Sequence, residues 1–298
     1  MPRKHILHML TPLRHMSPFD VNMALDAGFD AAVPYVDVAL TEVTGLVQDA
    51  IFSRPPDAGV DTGIFIGGKD AALALDMFDA AKKAMVPPFK VSVFADPAGS
   101  FTTAAAMVAK VEKALSTAFD RTLDGTRIVV FGATGVVGFC TAVIAAREGA
   151  SVRLAGHDGV KRVQAVADEI SRRFGLEVEA VDGSTDAAKE RLLADAEVVL
   201  SAAKAGIQVL AARQVAEAAK LLIAADVNAV PPAGIEGLAV AANADPLPAT
   251  RAVGIGPLAI GNVKYKTEFG LFKKMIESEK TVAFDFQDAF ALARDLAK

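Results

Sequence analysis

The stretch RIVVFGATGVVGFC, residues 127–140, breaks from a Val/Ile-rich run into glycines at Gly132, Gly135 and Gly138. A residue without Cβ permits a sharp strand-to-helix turn, lets backbone approach a ligand closely, and lets the helix pack against the strand. The N–H groups at the head of the following helix then favour negative charge. This G-x-x-G-x-x-G spacing is a variation on the dinucleotide fingerprint, and it points to pyrophosphate binding by Gly132, Thr134, Gly135, Val136, Val137 and Gly138. A purely structural glycine turn is the alternative. No charge interrupts the chain from Ile128 to Ala146, close to the roughly 20 apolar residues of a spanning helix. The glycines argue instead for a buried strand, a turn and a helix packed on a sheet.

Which dinucleotide would bind depends on the end of the next strand, RLAGHDGVKR. An acidic side chain there takes the ribose hydroxyls of NAD, and a cation suits the 2′-phosphate of NADP. Asp158 fits the first role, and His157 or Lys161 the second. A solvated helix start would carry the same charges, so both cofactors stay open.

Alcohol dehydrogenases need a proton-handling Tyr, His or metal beside the nicotinamide. Neither of the two tyrosines, Tyr35 and Tyr265, begins a Tyr-x-x-x-Lys motif, and four scattered His with one Cys make a metal site improbable. A hydride transfer that leaves a stable cation needs no proton relay. Oxidation of a methylene bridge between two nitrogens to a methenyl cation is such a reaction.

The elements that would hold these residues alternate along the chain. Strands are expected near 5–10, 31–35, 63–67 and 90–95, with helices near 18–27, 38–52 and 69–85 between them. A long Ala-rich helix from 102 to about 119 leads through the Asp124–Gly125 turn into the glycine-turn strand, 127–131. A helix to 148, strand 151–155, helix 160–174, strand 177–181 and a helix from 184 follow, then strands 198–202, 222–226 and 252–255. Such alternation predicts βαβ units and a mainly parallel sheet. Helices near 268–278 and 284–297 come last and are expected to return to the first domain.

The 298 residues are 52% hydrophobic, enough for a sizeable core in one large or two medium domains. A net charge of −5 gives no general attraction to nucleic acid or to an anionic membrane. Cys140 has no internal disulfide partner, and MPRKHILHML lacks the features of a signal peptide, so a cytoplasmic location is expected.

Several longer motifs accompany the glycine turn: SAAKAGIQVL, AADVNAVPPAGIEGL, IGPLAIGNVKYK, IFIGGKDAALALDMFDAAKK and FKVSVFADPAGSFTTAAA. Together they resemble the bacterial NAD(P)-dependent methylene-tetrahydromethanopterin dehydrogenases over nearly the whole chain. The resemblance implies an α/β fold of two domains. One is a Rossmann-type doubly wound sheet over 106–267; the other is an α/β pterin domain over 1–105, completed by the C-terminal helices 268–298. It implies a cleft where the one-carbon pterin meets NAD or NADP, with tetrahydromethanopterin as carrier. Tetrahydrofolate-using relatives are close, so that carrier is the alternative.

The resemblance further implies cofactor contacts at Ser201, Ala202, Ala203, Ile207, Asp226 and Asn228, and substrate contacts at Asp96 and Gly99. Ser100, Thr102 and Thr103 stand where a strand meets a helix, either as caps or as pterin contacts. Asp20 either compensates a helix dipole or takes the amino-pyrimidine edge of the pterin. The family's catalytic lysine falls on Lys264, assigned to substrate orientation, with Lys266 two residues on. An extended GNVKYK would put both lysines on one face.

The expected partners are small molecules and further copies of the same chain, with no nucleic acid, membrane or metal. A shikimate-dehydrogenase-like enzyme is one rival, needing a Lys–Asp pair for which only Lys69–Asp70 offers itself. A catalytically silent NAD(P)-sensing module is the other.

Overall fold

A computed structural model describes residues 3–298 and contains two sheets. The chain divides into two compact units. The first comprises residues up to Thr102 with Tyr265–Leu292, and the second Thr103–Lys264 with Ala293–Lys298.

In the first unit, strands and helices alternate as β1 (Ile6–Leu10), α1 (Pro18–Ala27), β2 (Ala31–Tyr35), α2 (Val43–Phe52), β3 (Thr62–Ile66), α3 (Ala71–Lys83) and β4 (Ser92–Ala95). Helix α4 (Ser100–Phe119) then carries the chain into the second unit. There β5 (Arg127–Phe131), α5 (Val136–Arg147), β6 (Ser151–Gly156), α6 (Val160–Phe174), β7 (Glu179–Asp182), α7 (Asp186–Leu193), β8 (Val198–Ser201), α8 (Ala212–Glu217), β9 (Ile223–Asp226), β10 (Asn243–Pro246) and β11 (Val253–Ile255) follow. The chain returns within α9 (Pro257–Glu277) and ends in β12 (Ala283–Phe284) and α10 (Phe286–Leu296).

The first sheet has the order β12-β4-β3-β1-β2, and every pairing in it is parallel. Strand β3 is buried at every position, as expected of a central parallel strand covered on both faces. Phe272 of α9 packs against Phe65 and Phe94 of the sheet at ring-centroid distances of 5.4 and 5.1 Å. Residues late in the chain thus complete a core begun by the earliest strands.

The second sheet reads β10-β11-β9-β8-β5-β6-β7, parallel except for the β10 edge. Taken in chain order without β10, this is the 3-2-1-4-5-6 order of a Rossmann sheet, whose switch point lies at the C-terminal ends of β5 and β8. The expected α/β class with a doubly wound sheet is what the chain adopts.

Among the strands and α-helices, three escaped the sequence reading, namely α8, β10 and the two-residue β12. Each is short, and short elements carry little periodicity. A larger correction concerns GNVKYK, which is not extended. Pro257 opens α9, and Ile260, Val263, Thr267, Leu271 and Met275 form its buried stripe. That is a helical spacing, which local alternation of two lysines concealed.

His8 of β1 lies 3.1 Å from the Tyr35 hydroxyl, and burial, reinforced by the Arg54 charge, holds its imidazole below the ordinary 6.5. Between the folded and unfolded values the unfolded chain binds more protons, so stability rises with pH through that interval and falls on acidification. In urea titrations from about pH 7.5 to about 5.5, the wild-type midpoint should therefore drop more than that of His8→Gln. Parallel curves would show that His8 does not contribute.

Candidate active site

The glycine turn lies between the end of β5 and the head of α5, and its three glycines do different work. Gly132 has φ +81°, and a Cβ there would press on the Ala202 carbonyl and lie 2.6 Å from Ala203 N. A Cβ on Gly138 would run into the Gly132 carbonyl and sit 2.8 Å from the Ala133 Cα. Both glycines are therefore demanded by backbone packing. Gly135 is not: a Cβ there meets nothing closer than the Gly132 carbonyl at 3.4 Å. It caps α5 without a side-chain hydrogen bond, leaving the N–H groups around Val136 and Val137 to a ligand.

Gly132, Thr134 and Gly135 line a cavity of about 620 Å³ with His157, Ala202, Ala203 and Ile207. Its size suits part of a dinucleotide. A turn that would admit even a Cβ at Gly135 without a clash, and an uncapped helix head, are what the approach of a pyrophosphate requires, so these residues fit NAD or NADP.

The structure also gathers side chains there that the sequence reading missed. Lys189, Lys204 and Gln208 line the same cavity. Lys189 lies inside α7, with no motif to mark it, and Lys204 sits in a loop whose course only the fold reveals. Of the two residues the sequence offered for the 2′-phosphate, His157 lines the cavity and Lys161 does not, and Asp158 engages Arg162 at 3.2 Å.

Ser201, Asp226 and Asn228 are buried, and the last two are turned to internal work. Asp226 accepts hydrogen bonds from the backbone N–H groups of Asn228 at 3.0 Å, Gly234 at 2.7 Å and Ile235 at 3.3 Å. Burial raises its carboxyl above the ordinary value, and these backbone bonds oppose the shift. Asn228 accepts from Gly206 N at 3.2 Å and donates to the Pro232 carbonyl at 2.8 Å. Asp226 thus holds the loop after β9, and Asn228 ties it to the loop after β8.

The first unit has its own cavity, of about 450 Å³, at the C-terminal ends of β1 and β3. Asp20, 1% exposed, lines it with Arg14, His15, Gly67, Gly68 and Lys69. The loops TPLRHMSP and GGKD that build it each follow a parallel strand, a signal present in the sequence but not used there. Asp96 and Thr102 do not line this cavity. The Asp96 carboxylate accepts from Phe101 N at 2.8 Å and from the Thr102 hydroxyl at 2.6 Å, pinning the start of α4. Gly99 is buried, and Ser100 and Thr103 are half-buried nearby.

Asp70 caps α3, accepting from Leu73 N at 2.8 Å, which accounts for the Lys69–Asp70 pair as a helix start. Lys264 is half-buried in α9, just beyond β11, while Lys266 is exposed. At about 100° per residue, the two point roughly 200° apart around the helix, so they do not share a face.

The described residues include no cluster of His, Cys, Asp or Glu able to hold a metal, and no helix long and apolar enough to cross a membrane.

Known proteins give this geometry a context. Residues 18–98 match the family model described as methylene-tetrahydromethanopterin dehydrogenase, N-terminal. Among solved structures, shikimate 5-dehydrogenase from Listeria monocytogenes superposes with a TM-score of 0.53 at 13% identity, covering 90% of this chain and 91% of that one. That likeness is one of fold. Bifunctional protein MdtA of Methylorubrum extorquens is 35% identical over 94% of this chain and 95% of its own length. The NAD(P)-dependent methylenetetrahydromethanopterin dehydrogenase of the same organism is 58% identical over 99% of both chains. With identity of that order over nearly the full length of both chains, and the N-terminal family model matched over residues 18–98, the chain belongs to the methylenetetrahydromethanopterin dehydrogenase family.

Proposed function

We propose that this chain oxidises methylene-tetrahydromethanopterin to the methenyl form by hydride transfer to NAD(P)⁺, a step of one-carbon, formaldehyde-derived metabolism. The observation that carries the reading is the 58% identity extending over 294 residues and therefore through both units. When bound, the oxidised nicotinamide supplies the hydride acceptor. The rest is the work of this chain's residues. Gly135 and the uncapped head of α5 receive the pyrophosphate, while Gly132 and Gly138 keep the turn tight enough to expose it. Asp20 presents a carboxylate to the amino-pyrimidine edge of the pterin. Lys264 orients the substrate, and no residue has to move a proton, because loss of hydride from a methylene between two nitrogens leaves a delocalised cation.

Asp96, Thr102 and Gly99 serve this reading as supports of the α4 start, with Ser100 and Thr103 the better-exposed hydroxyls beside them. Asp226 and Asn228 serve it as supports of the cofactor loops. Self-association and a cytoplasmic setting complete it.

The test is a spectrophotometric assay of NAD(P)H formation with methylene-tetrahydromethanopterin, paired with methylene-tetrahydrofolate. Turnover with the methanopterin substrate and either nicotinamide is expected, with lower kcat/KM for the folate. Absence of NAD(P)H formation with both carriers would remove the reading, and preference for the folate would move it to the other carrier.

A further inference from the structure

The charges around the dinucleotide cavity do not all stand ready for a ligand. Among its lining residues are three that can carry positive charge, His157, Lys189 and Lys204. Lys189 is committed: its ammonium donates to the Val209 carbonyl at 2.8 Å, and its side chain is only 19% exposed. His157 lies 3.9 Å from the Asp158 carboxylate, which offsets any charge the ring carries. Arg162, which does not line the cavity, is held by that same carboxylate at 3.2 Å. Lys204 is exposed and makes no ion pair or side-chain hydrogen bond among the described residues.

Its backbone, by contrast, is well fixed. Lys204 opens a turn closed by Ile207 N donating to its carbonyl at 3.2 Å. Asn228 holds Gly206, and Val209 N donates to the Gly234 carbonyl at 2.7 Å. The preceding residue, Ala203, lies against Gly132 of the pyrophosphate turn. A flexible cation on a fixed wall beside that turn is suited to reading phosphate, because the loop needs no ordering when the ligand arrives.

We propose that Lys204 is the specificity-determining side chain that recognises the extra phosphate by which NADP differs from NAD. This rests on the reading of the cavity as the NAD(P) site. It transfers the role from His157 or Lys161, which the sequence offered, to a residue on the loop after β8. Accommodation of both cofactors follows, because His157 at the β6 end and Lys204 line one cavity, so a phosphate on the ribose 2′-oxygen extends from the β6 end towards Lys204, and without it the lysine swings on its four-carbon stem to solvent.

Isothermal titration of NAD and NADP into the wild type, Lys204→Ala, Lys204→Arg and Lys161→Ala tests this. The NADP-to-NAD affinity ratio should fall about tenfold or more in Lys204→Ala, the size of a lost charge-assisted hydrogen bond. Lys204→Arg should restore most of it, Lys161→Ala should leave it near wild type, and the wild-type ratio should fall as salt rises. An unchanged ratio in Lys204→Ala overturns the inference. Equal losses for both cofactors also overturn it and assign Lys204 to the shared pyrophosphate. A wild type that binds neither cofactor removes the underlying reading and the inference with it.

Discussion

Gly135→Val is expected to fold normally and to bind both NAD and NADP at least about a hundredfold more weakly, a loss of roughly 3 kcal/mol. A Cβ on Gly135 makes only an ordinary contact, 3.4 Å from the Gly132 carbonyl, and Gly135 lines the cavity, so a branched side chain there is expected to fill part of it. It would occupy the volume in which the pyrophosphate meets the head of α5. Gly138→Ala makes the contrast. Its added methyl would meet the Gly132 carbonyl and the Ala133 Cα, so it should destabilise the unit by about 1–3 kcal/mol through overpacking. Calorimetric titration checks the first effect and thermal unfolding the second. Undiminished binding of both dinucleotides by folded Gly135→Val would mean that the turn is purely structural.

Lys264→Ala should leave dinucleotide affinity intact while lowering kcat by about 10²-fold or more, as loss of a group that positions substrate does. Lys264 is the eighth residue of α9, the helix that follows β11 and carries the chain back to the first unit, and its side chain is half-buried there. Lys266→Ala becomes a sharper control than sequence alone offered. The helix turns Lys266 to another side, so its removal should leave kcat within a few-fold of wild type while taking away the same charge. Wild-type kcat in Lys264→Ala would withdraw the lysine from catalysis and leave the family assignment standing. Comparable losses in the two variants would point to general electrostatics in place of orientation.

The α/β class, the glycine-turn strand and the helix after it were legible because each is encoded over consecutive residues. Val/Ile runs, Ala-rich helical stretches and turn glycines act within a few positions of themselves, and β5, α1 and α6 begin and end where those signals change. Gly132, Thr134, Gly135 and Ala202, named from the sequence as cofactor contacts, line one cavity, because the loops after β5 and β8 leave the sheet at the same edge.

What local sequence could not encode is which chemically similar side chains are already occupied. Asp226 resembled a ligand contact until its carboxylate was found holding the N–H groups of Gly234 and Ile235. Lys189 and Lys204 are both lysines of one cavity, yet one is bound to Val209 and the other is uncommitted. The two lysines of GNVKYK were separated by a helix whose buried stripe extends to Met275, beyond the window in which their alternation was visible. By itself the sequence determined the elements and the motif, because propensity and turn chemistry are short-range. Tertiary structure decided which charges remain free for a ligand, because hydrogen-bond partners far apart in the chain become neighbours only when strands and loops pack.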